Sequence, residues 1–101
     1  MSKYFLTEEA DQDRSDIWDY IAEDNVDAAD CWDAKLRNAF EMLGANPRAG
    51  HTRKDLTDLS VLFWPVGAYL IIYRITSEWV EILAITQGSR DFASFLEGRA
   101  G

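Results

Sequence analysis

The amino-acid sequence predicts a two-layer α+β domain in which a helical hairpin packs on an antiparallel sheet. Residues 29–43 place apolar side chains at alternating steps of three and four, which is the spacing of one helix face. Residues 61–86 are instead rich in β-branched and aromatic side chains, and tight turns interrupt them. Helices followed by a separate group of strands indicate helices that cover one face of a sheet.

The length of the chain leaves room for one hydrophobic core. It has 101 residues, of which 48% are hydrophobic, and it contains no internal repeat and no linker. We expect a single domain over residues 1–97 and a flexible tail over residues 98–101.

The first elements are a short strand and a helix. The apolar run Tyr4–Leu6 predicts the strand, and Thr7 is a typical N-cap residue in front of two glutamates, whose charge suits the start of a helix. The helix is expected over Glu8–Glu23. Asp24-Asn25 then breaks it and caps the next helix.

The second helix has the clearest pattern in the chain. Gly44 and Pro47 end it, and the very short connection before it predicts two antiparallel helices that pack as neighbours. The apolar face of this helix consists of Ala29, Trp32, Leu36, Ala39, Phe40 and Leu43.

The rest of the chain predicts a loop, three strands and a short apolar segment. Two tight turns, Pro65–Gly67 and Thr76–Glu78, join the strands and indicate an antiparallel meander. The predicted segments are the loop Asn46–Lys54, the strands Val61–Trp64, Tyr69–Ile75 and Trp79–Thr86, and one or two helical turns in Phe92–Leu96.

The charge is unevenly distributed. The chain has a net charge of -8, yet residues 8–33 carry eleven acids and one base, which sum to -10, and the remaining seven acids and nine bases sum to +2. A basic surface is needed to release counterions from nucleic acid, so we expect no direct binding of DNA by this chain alone.

The sequence also indicates a compartment. The longest apolar run, Val66–Tyr73, is interrupted by Gly67 and is too short to span a membrane. Cys31 is the single cysteine, so no internal disulfide forms, which fits a reducing cytosol. We expect a cytoplasmic protein without a membrane partner, and no residue pattern predicts a metal or a cofactor.

An ordered set of short motifs resembles the RelE/ParE toxin superfamily over almost the whole chain, and its ParE-like branch in particular. Two features depart from the pattern: Gln87 stands where these toxins often have histidine, and the chain is acidic where many of them are basic. The matching pieces are Leu6-Thr7-Glu8-Glu9-Ala10, Asp16-Ile17-Trp18-Asp19-Tyr20-Ile21-Ala22, Phe40, Leu43, Pro47, Gly50, Arg53-Lys54-Asp55-Leu56, Phe63, Gly67, Tyr69, Ile71-Ile72-Tyr73-Arg74 and Gly88-Ser89-Arg90-Asp91.

The resemblance implies the toxin of a type II toxin–antitoxin module. ParE-like toxins inhibit DNA gyrase by protein–protein contact, need no catalytic residues, and are neutralised by a ParD-like antitoxin; we expect basic residues on this antitoxin facing the acidic helices. The alternatives are a ribosome-dependent mRNA endoribonuclease of the RelE type and a non-toxic binding module. The nuclease needs closely placed Lys, Arg, His or Tyr side chains, whereas this chain has one histidine, His51, and no tyrosine after Arg90.

Two sets of candidate site residues follow. The candidate target-binding residues are basic: Arg53, Lys54, Arg74 and Arg90. The candidate antitoxin-binding residues are the aromatic side chains of Trp18, Phe63, Trp64 and Tyr73. The alternative for the first set is structural, because Arg53 and Lys54 neighbour two aspartates, Arg74 can pair with Glu81 across a hairpin, and Arg90 can cap the last helix. Within the aromatic set, the alternative for Trp64 is core or edge packing. Trp18 lies beside Ile17 and not one turn away, so we expect it to be exposed, as at an interface.

Overall fold

The computed structural model describes residues 3–87, 95–96 and 99. The predicted order of a strand, two helices and three strands is confirmed, with one short 3-10 helix in addition. The elements are β1 (Tyr4–Leu6), α1 (Glu8–Asp24), α2 (Val26–Ala45), the 3-10 helix Pro47–Ala49, β2 (Leu62–Val66), β3 (Tyr69–Thr76) and β4 (Trp79–Gln87). Neither α1 nor α2 is long and apolar enough to cross a membrane.

The helical hairpin is fixed by side-chain caps. The Thr7 hydroxyl accepts a hydrogen bond from the Ala10 N–H at 3.1 Å and so starts α1. The single connecting residue, Asn25, ends α1 by donating its own N–H to the Ile21 carbonyl, and its side-chain oxygen accepts from the Ala28 N–H at 3.0 Å to start α2. Both caps and the antiparallel hairpin are therefore confirmed.

The sheet is mixed, with strand order β1-β4-β3-β2. β2, β3 and β4 form the predicted antiparallel meander, but β1 runs parallel to β4. The prediction of an entirely antiparallel sheet is wrong at this one strand. Tight turns dictate the direction of the meander strands, whereas two helices and a loop separate β1 from them, so no turn fixes its direction.

β2 continues further than the predicted strand. It runs through Pro65 to Val66, and the turn falls on Gly67 and Ala68, with Gly67 at a φ of +61°. Phe63 exchanges backbone hydrogen bonds with His51 on the outer side of β2. Pro65 lies two residues after Phe63 in β2, so its nitrogen faces the same outer side of the strand. The N–H that proline lacks therefore removes no hydrogen bond between β2 and β3.

Side chains of the sheet enter two separate cores. The larger core lies between the sheet and the helices, and the smaller one lies on the opposite face, where Leu56, Leu59 and Phe95 pack against it. The larger core consists of Ala10, Leu36, Ala39, Phe40, Leu43, Val66, Ile71, Tyr73, Val80, Ile82 and Ile85. The smaller core consists of Val61, Phe63, Ile72, Leu83, Ala84 and Leu96.

A β-bulge in β4 directs two consecutive side chains into the smaller core. Ile72 pairs with Ala84 and Tyr73 pairs with Ile82, so Leu83 is an extra residue in β4. Leu83 and Ala84 therefore face the same side of the sheet, although neighbouring residues of a strand normally alternate.

An ion pair joins the two helices. The Arg14 guanidinium donates two hydrogen bonds to Asp33, at 2.7 Å and 3.0 Å, and both side chains are about three-quarters buried. The hydrogen bond from Arg14 holds the pKa of the Asp33 carboxyl below its ordinary value. The pair thus makes the packing of α1 on α2 sensitive to acid.

Replacing Asp33 by asparagine is expected to lower the free energy of unfolding by about 1 kcal/mol at about pH 7. Because the pKa of Asp33 is lower in the folded than in the unfolded chain, the pair stabilises above the unfolded pKa, and this contribution is lost as pH falls through the folded pKa. The difference between wild type and Asp33→Asn should therefore shrink below about pH 4 in urea unfolding. Asp19→Asn, on the exposed part of α1, is the control; an equal loss in both variants would contradict the assignment.

Candidate functional site

A cleft of about 580 Å³ lies between α1 and the end of β4. Among its described lining residues there is no lysine, arginine or histidine, and the Tyr20 side chain is 68% exposed. The residues of α1 that line the cleft are Asp13, Asp16, Ile17 and Tyr20. The other lining residues are Tyr69, Ile85, Thr86, Gln87 and Phe95.

Asp13 is a partly buried residue in the lining of this cleft. Its carboxylate accepts a hydrogen bond from the Ile85 N–H at 3.1 Å and forms an ion pair with the Arg99 guanidinium. That guanidinium also lies 4.4 Å from the centre of the Phe95 ring and donates to the Leu83 carbonyl at 3.4 Å. The side chain of Asp13 thus joins α1 to β4 and to Arg99, the one described residue of the expected tail.

Replacing Asp13 by alanine is expected to lower the free energy of unfolding by about 2 kcal/mol, because the buried Ile85 N–H loses its acceptor and Arg99 loses its partner. Asp16→Ala, one turn away in the same helix but exposed, should cost less than about 0.5 kcal/mol. Thermal unfolding of the two variants by circular dichroism makes the comparison. Equal melting temperatures would show that Asp13 does not hold the strand.

The candidate target-binding residues do not line this cleft. Arg53 is exposed and donates to both carboxylate oxygens of Asp55, at 3.1 Å and 2.9 Å, which lowers the pKa of Asp55. Arg74 forms an ion pair with Glu81 across the hairpin, so each of these two arginines has a carboxylate partner within the chain. Lys54 is exposed beside Arg53, and Arg90 lies outside the described residues.

Of the four candidate antitoxin-binding residues, two have half-buried side chains and two have buried side chains. Trp18 is half-buried, and its indole N–H donates to Asp30 at 3.1 Å; Trp64 is half-buried against the larger core. Phe63 and Tyr73 are buried in the two cores. A side chain enclosed by its own chain offers no surface to a partner, so Phe63 and Tyr73 leave the proposed antitoxin-binding set.

The Tyr73 hydroxyl instead makes two hydrogen bonds within the fold. It donates to the Pro47 carbonyl at 2.7 Å and accepts from the Gly50 N–H at 2.9 Å. Burial raises the pKa of this phenol. The tyrosine therefore attaches the loop after α2 to the middle of the sheet.

Exposed aromatic side chains are the residues that sequence reasoning missed. Besides Tyr20, Phe5 and Trp79 are 42% and 46% exposed, and their ring centres lie 6.3 Å apart. Helical spacing alone does not separate Tyr20 from the half-buried Ile17, because residues three apart share a helix face. The strand pattern carries a signal for Trp79, which precedes the buried Val80 and so faces the other side of the sheet.

Comparisons with known proteins agree with this architecture. Residues 4–92 match the family described as ParE toxin of type II toxin-antitoxin system, parDE. No curated protein matches the sequence. Among solved structures, the chain is similar to one titled "Chromosomal ParDE TA system from P. aeruginosa", with a TM-score of 0.70 and 19% identity over 86% of this chain and 96% of that chain. The structural likeness shows the fold, and the match over residues 4–92 shows that this chain belongs to the ParE toxin family of type II toxin–antitoxin systems.

Proposed function

We propose that this chain acts in the cytoplasm, where it inhibits DNA gyrase by protein–protein contact and is neutralised by a cognate ParD-like antitoxin. The match of residues 4–92 to the ParE toxin family carries the proposal.

The cleft supports an inhibitor rather than a nuclease. Cleavage of RNA by 2'-hydroxyl attack needs a base, an acid and cations around one phosphate. The described lining of the cleft instead contains the carboxylates of Asp13 and Asp16, which repel a phosphate, and the Arg99 guanidinium beside them is already paired with Asp13. Arg53 and Arg74 each pair with a carboxylate. Binding to a protein surface needs no catalytic group, so it is compatible with all of these contacts.

The helical hairpin supports a basic partner. All acids of residues 8–33 are exposed except Asp13 and Asp33, and those two are paired with Arg99 and Arg14. The exposed carboxylates give one side of the molecule a negative potential, which speeds association with a positively charged segment. We propose that the antitoxin supplies that segment and that Trp18, half-buried between the helices, lies on the same surface.

The target surface is proposed to include Arg53, Lys54 and Arg74. Lys54 is exposed beside Arg53. Because the Arg53–Asp55 ion pair is also exposed, a carboxylate of the target can compete with Asp55 for the Arg53 guanidinium. Lys54→Ala is the appropriate variant, with Lys35→Ala on α2 as a control of equal charge.

Expression of the chain without its antitoxin tests the proposed function in cells. We expect arrested growth, relaxed plasmid DNA and intact mRNA, with recovery when the antitoxin is co-expressed and with weaker arrest for Lys54→Ala than for Lys35→Ala. Cleaved mRNA with normally supercoiled plasmid would overturn the proposal in favour of a nuclease. Undisturbed growth would overturn it in favour of a non-toxic binding module.

A further inference from the structure

We propose that part of the outer face of the sheet binds a second copy of this chain, so that the antitoxin-free protein forms a dimer with its two sheets face to face. This surface, the open face, consists of Phe5, Arg74, Trp79 and Glu81. The proposal concerns the association of the chain with itself and does not depend on the gyrase target.

The strand register brings these side chains together. The neighbours of Phe5 in β1 and of Glu81 in β4 pack in or against the larger core, so Phe5 and Glu81 point away from the helices. Glu81 pairs with Phe5 on one side and with Arg74 on the other, and Trp79 lies two residues before Glu81 on the same face. The open face therefore extends across three adjacent strands, β1, β4 and β3.

The aromatic rings of the open face are exposed, although another part of the same sheet face is covered. Leu56, Leu59 and Phe95 pack there against the smaller core. Phe5 and Trp79 are 42% and 46% exposed, and their rings meet edge to face with centres 6.3 Å apart. Phenylalanine and tryptophan are enriched at protein interfaces, because each ring buries a large apolar area at a small loss of side-chain entropy. The pair is therefore suited to a protein partner.

The charges around these rings favour a partner with the same charge pattern. Arg74 pairs with Glu81, and the exposed ion pair of Lys3 with Glu78, at 3.3 Å, lies beside Trp79. Each pair has one positive and one negative group, so this surface has no net charge, and a polyanion or a strongly basic segment gains little from it. Two copies related by a two-fold axis present the same surface to each other, so each positive group can approach a negative group of the other copy.

The acidic helices explain the choice of face. Residues 8–33, which carry eleven acids and one base, lie in α1, in α2 and between them, on the opposite side of the sheet. Association through the helices would bring two such surfaces together against their mutual repulsion. Association through the open face leaves both helical layers on the outside. One copy already measures 21 Å in its shortest dimension, so the two acidic surfaces lie well beyond the Debye length of about 8 Å.

We expect the dimer to be weak and dependent on concentration. A standard protein interface has about 20 residues on each side, and the open face is smaller than that. A dissociation constant of about 10 µM is expected, so the chain is monomeric when it is dilute. Arg74 also belongs to the proposed target surface, so the dimer withholds Arg74 from the target at high concentration. This last consequence alone rests on the proposed function.

Sedimentation equilibrium of the full, antitoxin-free chain tests the dimer. Between about 1 µM and about 100 µM, we expect the weight-average mass to rise from 11.5 kDa towards twice that value. Trp79→Ser is expected to weaken association at least about tenfold. Tyr20→Ser is the matched control, because it also removes an exposed ring, but from α1; it should change the dissociation constant less than about twofold.

A measurement on the wild-type chain does not depend on how the variants fold. The indole N–H resonance of Trp79 should shift as the protein concentration is raised. The indole N–H resonance of Trp18, which belongs to α1 on the other side of the sheet, should not shift.

A mass of 11.5 kDa at every concentration would overturn the proposal. If the Trp79 resonance of that monomer then shifted on addition of gyrase, the open face would belong to the target instead. Equal weakening by Trp79→Ser and Tyr20→Ser, or a shift of Trp18 without one of Trp79, would also overturn it, because association would then use another surface. None of these measurements reports gyrase activity, so a failed dimer leaves the inhibitor proposal intact.

Discussion

Replacing Gly50 by alanine is expected to lower the free energy of unfolding by about 4 kcal/mol. A Cβ at this position would lie 2.4 Å from the Tyr73 hydroxyl oxygen, 2.8 Å from Tyr73 Cε1 and 3.0 Å from the Phe63 carbonyl oxygen. The ring cannot retreat, because Tyr73 is fully buried and its hydroxyl is held by the Pro47 carbonyl and the Gly50 N–H. The substitution therefore combines a steric clash with the loss of two buried hydrogen bonds.

Gly67→Ala is the matched control for this change. Gly67 has a φ of +61°, which disfavours alanine, but no atom lies within 4 Å of the added Cβ. We expect a loss of about 1 kcal/mol, due to the backbone alone. Urea unfolding of both variants measures the difference of about 3 kcal/mol. Similar losses would mean that the loop after α2 moves away from Tyr73 at little cost.

Phe40→Ala is expected to cost about 4 kcal/mol of unfolding free energy. Phe40 is fully buried in the larger core, where its ring centre lies 5.4 Å from that of Tyr4. The Arg14 guanidinium lies 5.9 Å from the same ring. One side chain of α2 thus contacts both β1 and α1, and its removal leaves a cavity where three elements meet.

Val26→Ala provides the comparison within the same helix, because Val26 is 54% exposed and its truncation creates no cavity. We expect this change to stay within about 0.5 kcal/mol of wild type in urea unfolding. A loss below about 1 kcal/mol in Phe40→Ala would contradict the packing described for the larger core.

The parts of the fold that follow from local chemistry were predictable from the sequence. Thr7 and Asn25 each cap a helix by a hydrogen bond to a residue three positions further along the chain. The three- and four-residue spacing of apolar side chains in α2 predicts its one buried face. The direction of β1 depends on Val80–Ile82, more than 70 residues away, and no local pattern specifies it. The prediction that Pro65 lies in a turn is wrong, because proline fits a strand at the edge of a sheet and only the assembled sheet shows that β2 is an edge strand.

The candidate site was predictable only where short-range pairing defines it. The Arg74–Glu81 pair follows from the register of one hairpin and was among the alternatives that the sequence offered. The burial of Tyr73 depends on Pro47 and Gly50, which belong to a loop in a different part of the chain. The cleft depends on the contact between Asp13 and Ile85, 72 residues apart, so its existence was not apparent from either segment.

A supercoiling assay with purified gyrase, relaxed plasmid and the antitoxin-free chain tests the central claim most directly. The account predicts that supercoiling is lost in proportion to added toxin, that it returns when antitoxin is added, and that mRNA on translating ribosomes stays intact in a parallel reaction. Normal supercoiling together with cleaved mRNA would contradict it, and would place the activity of this ParE family member on the ribosome instead of on gyrase.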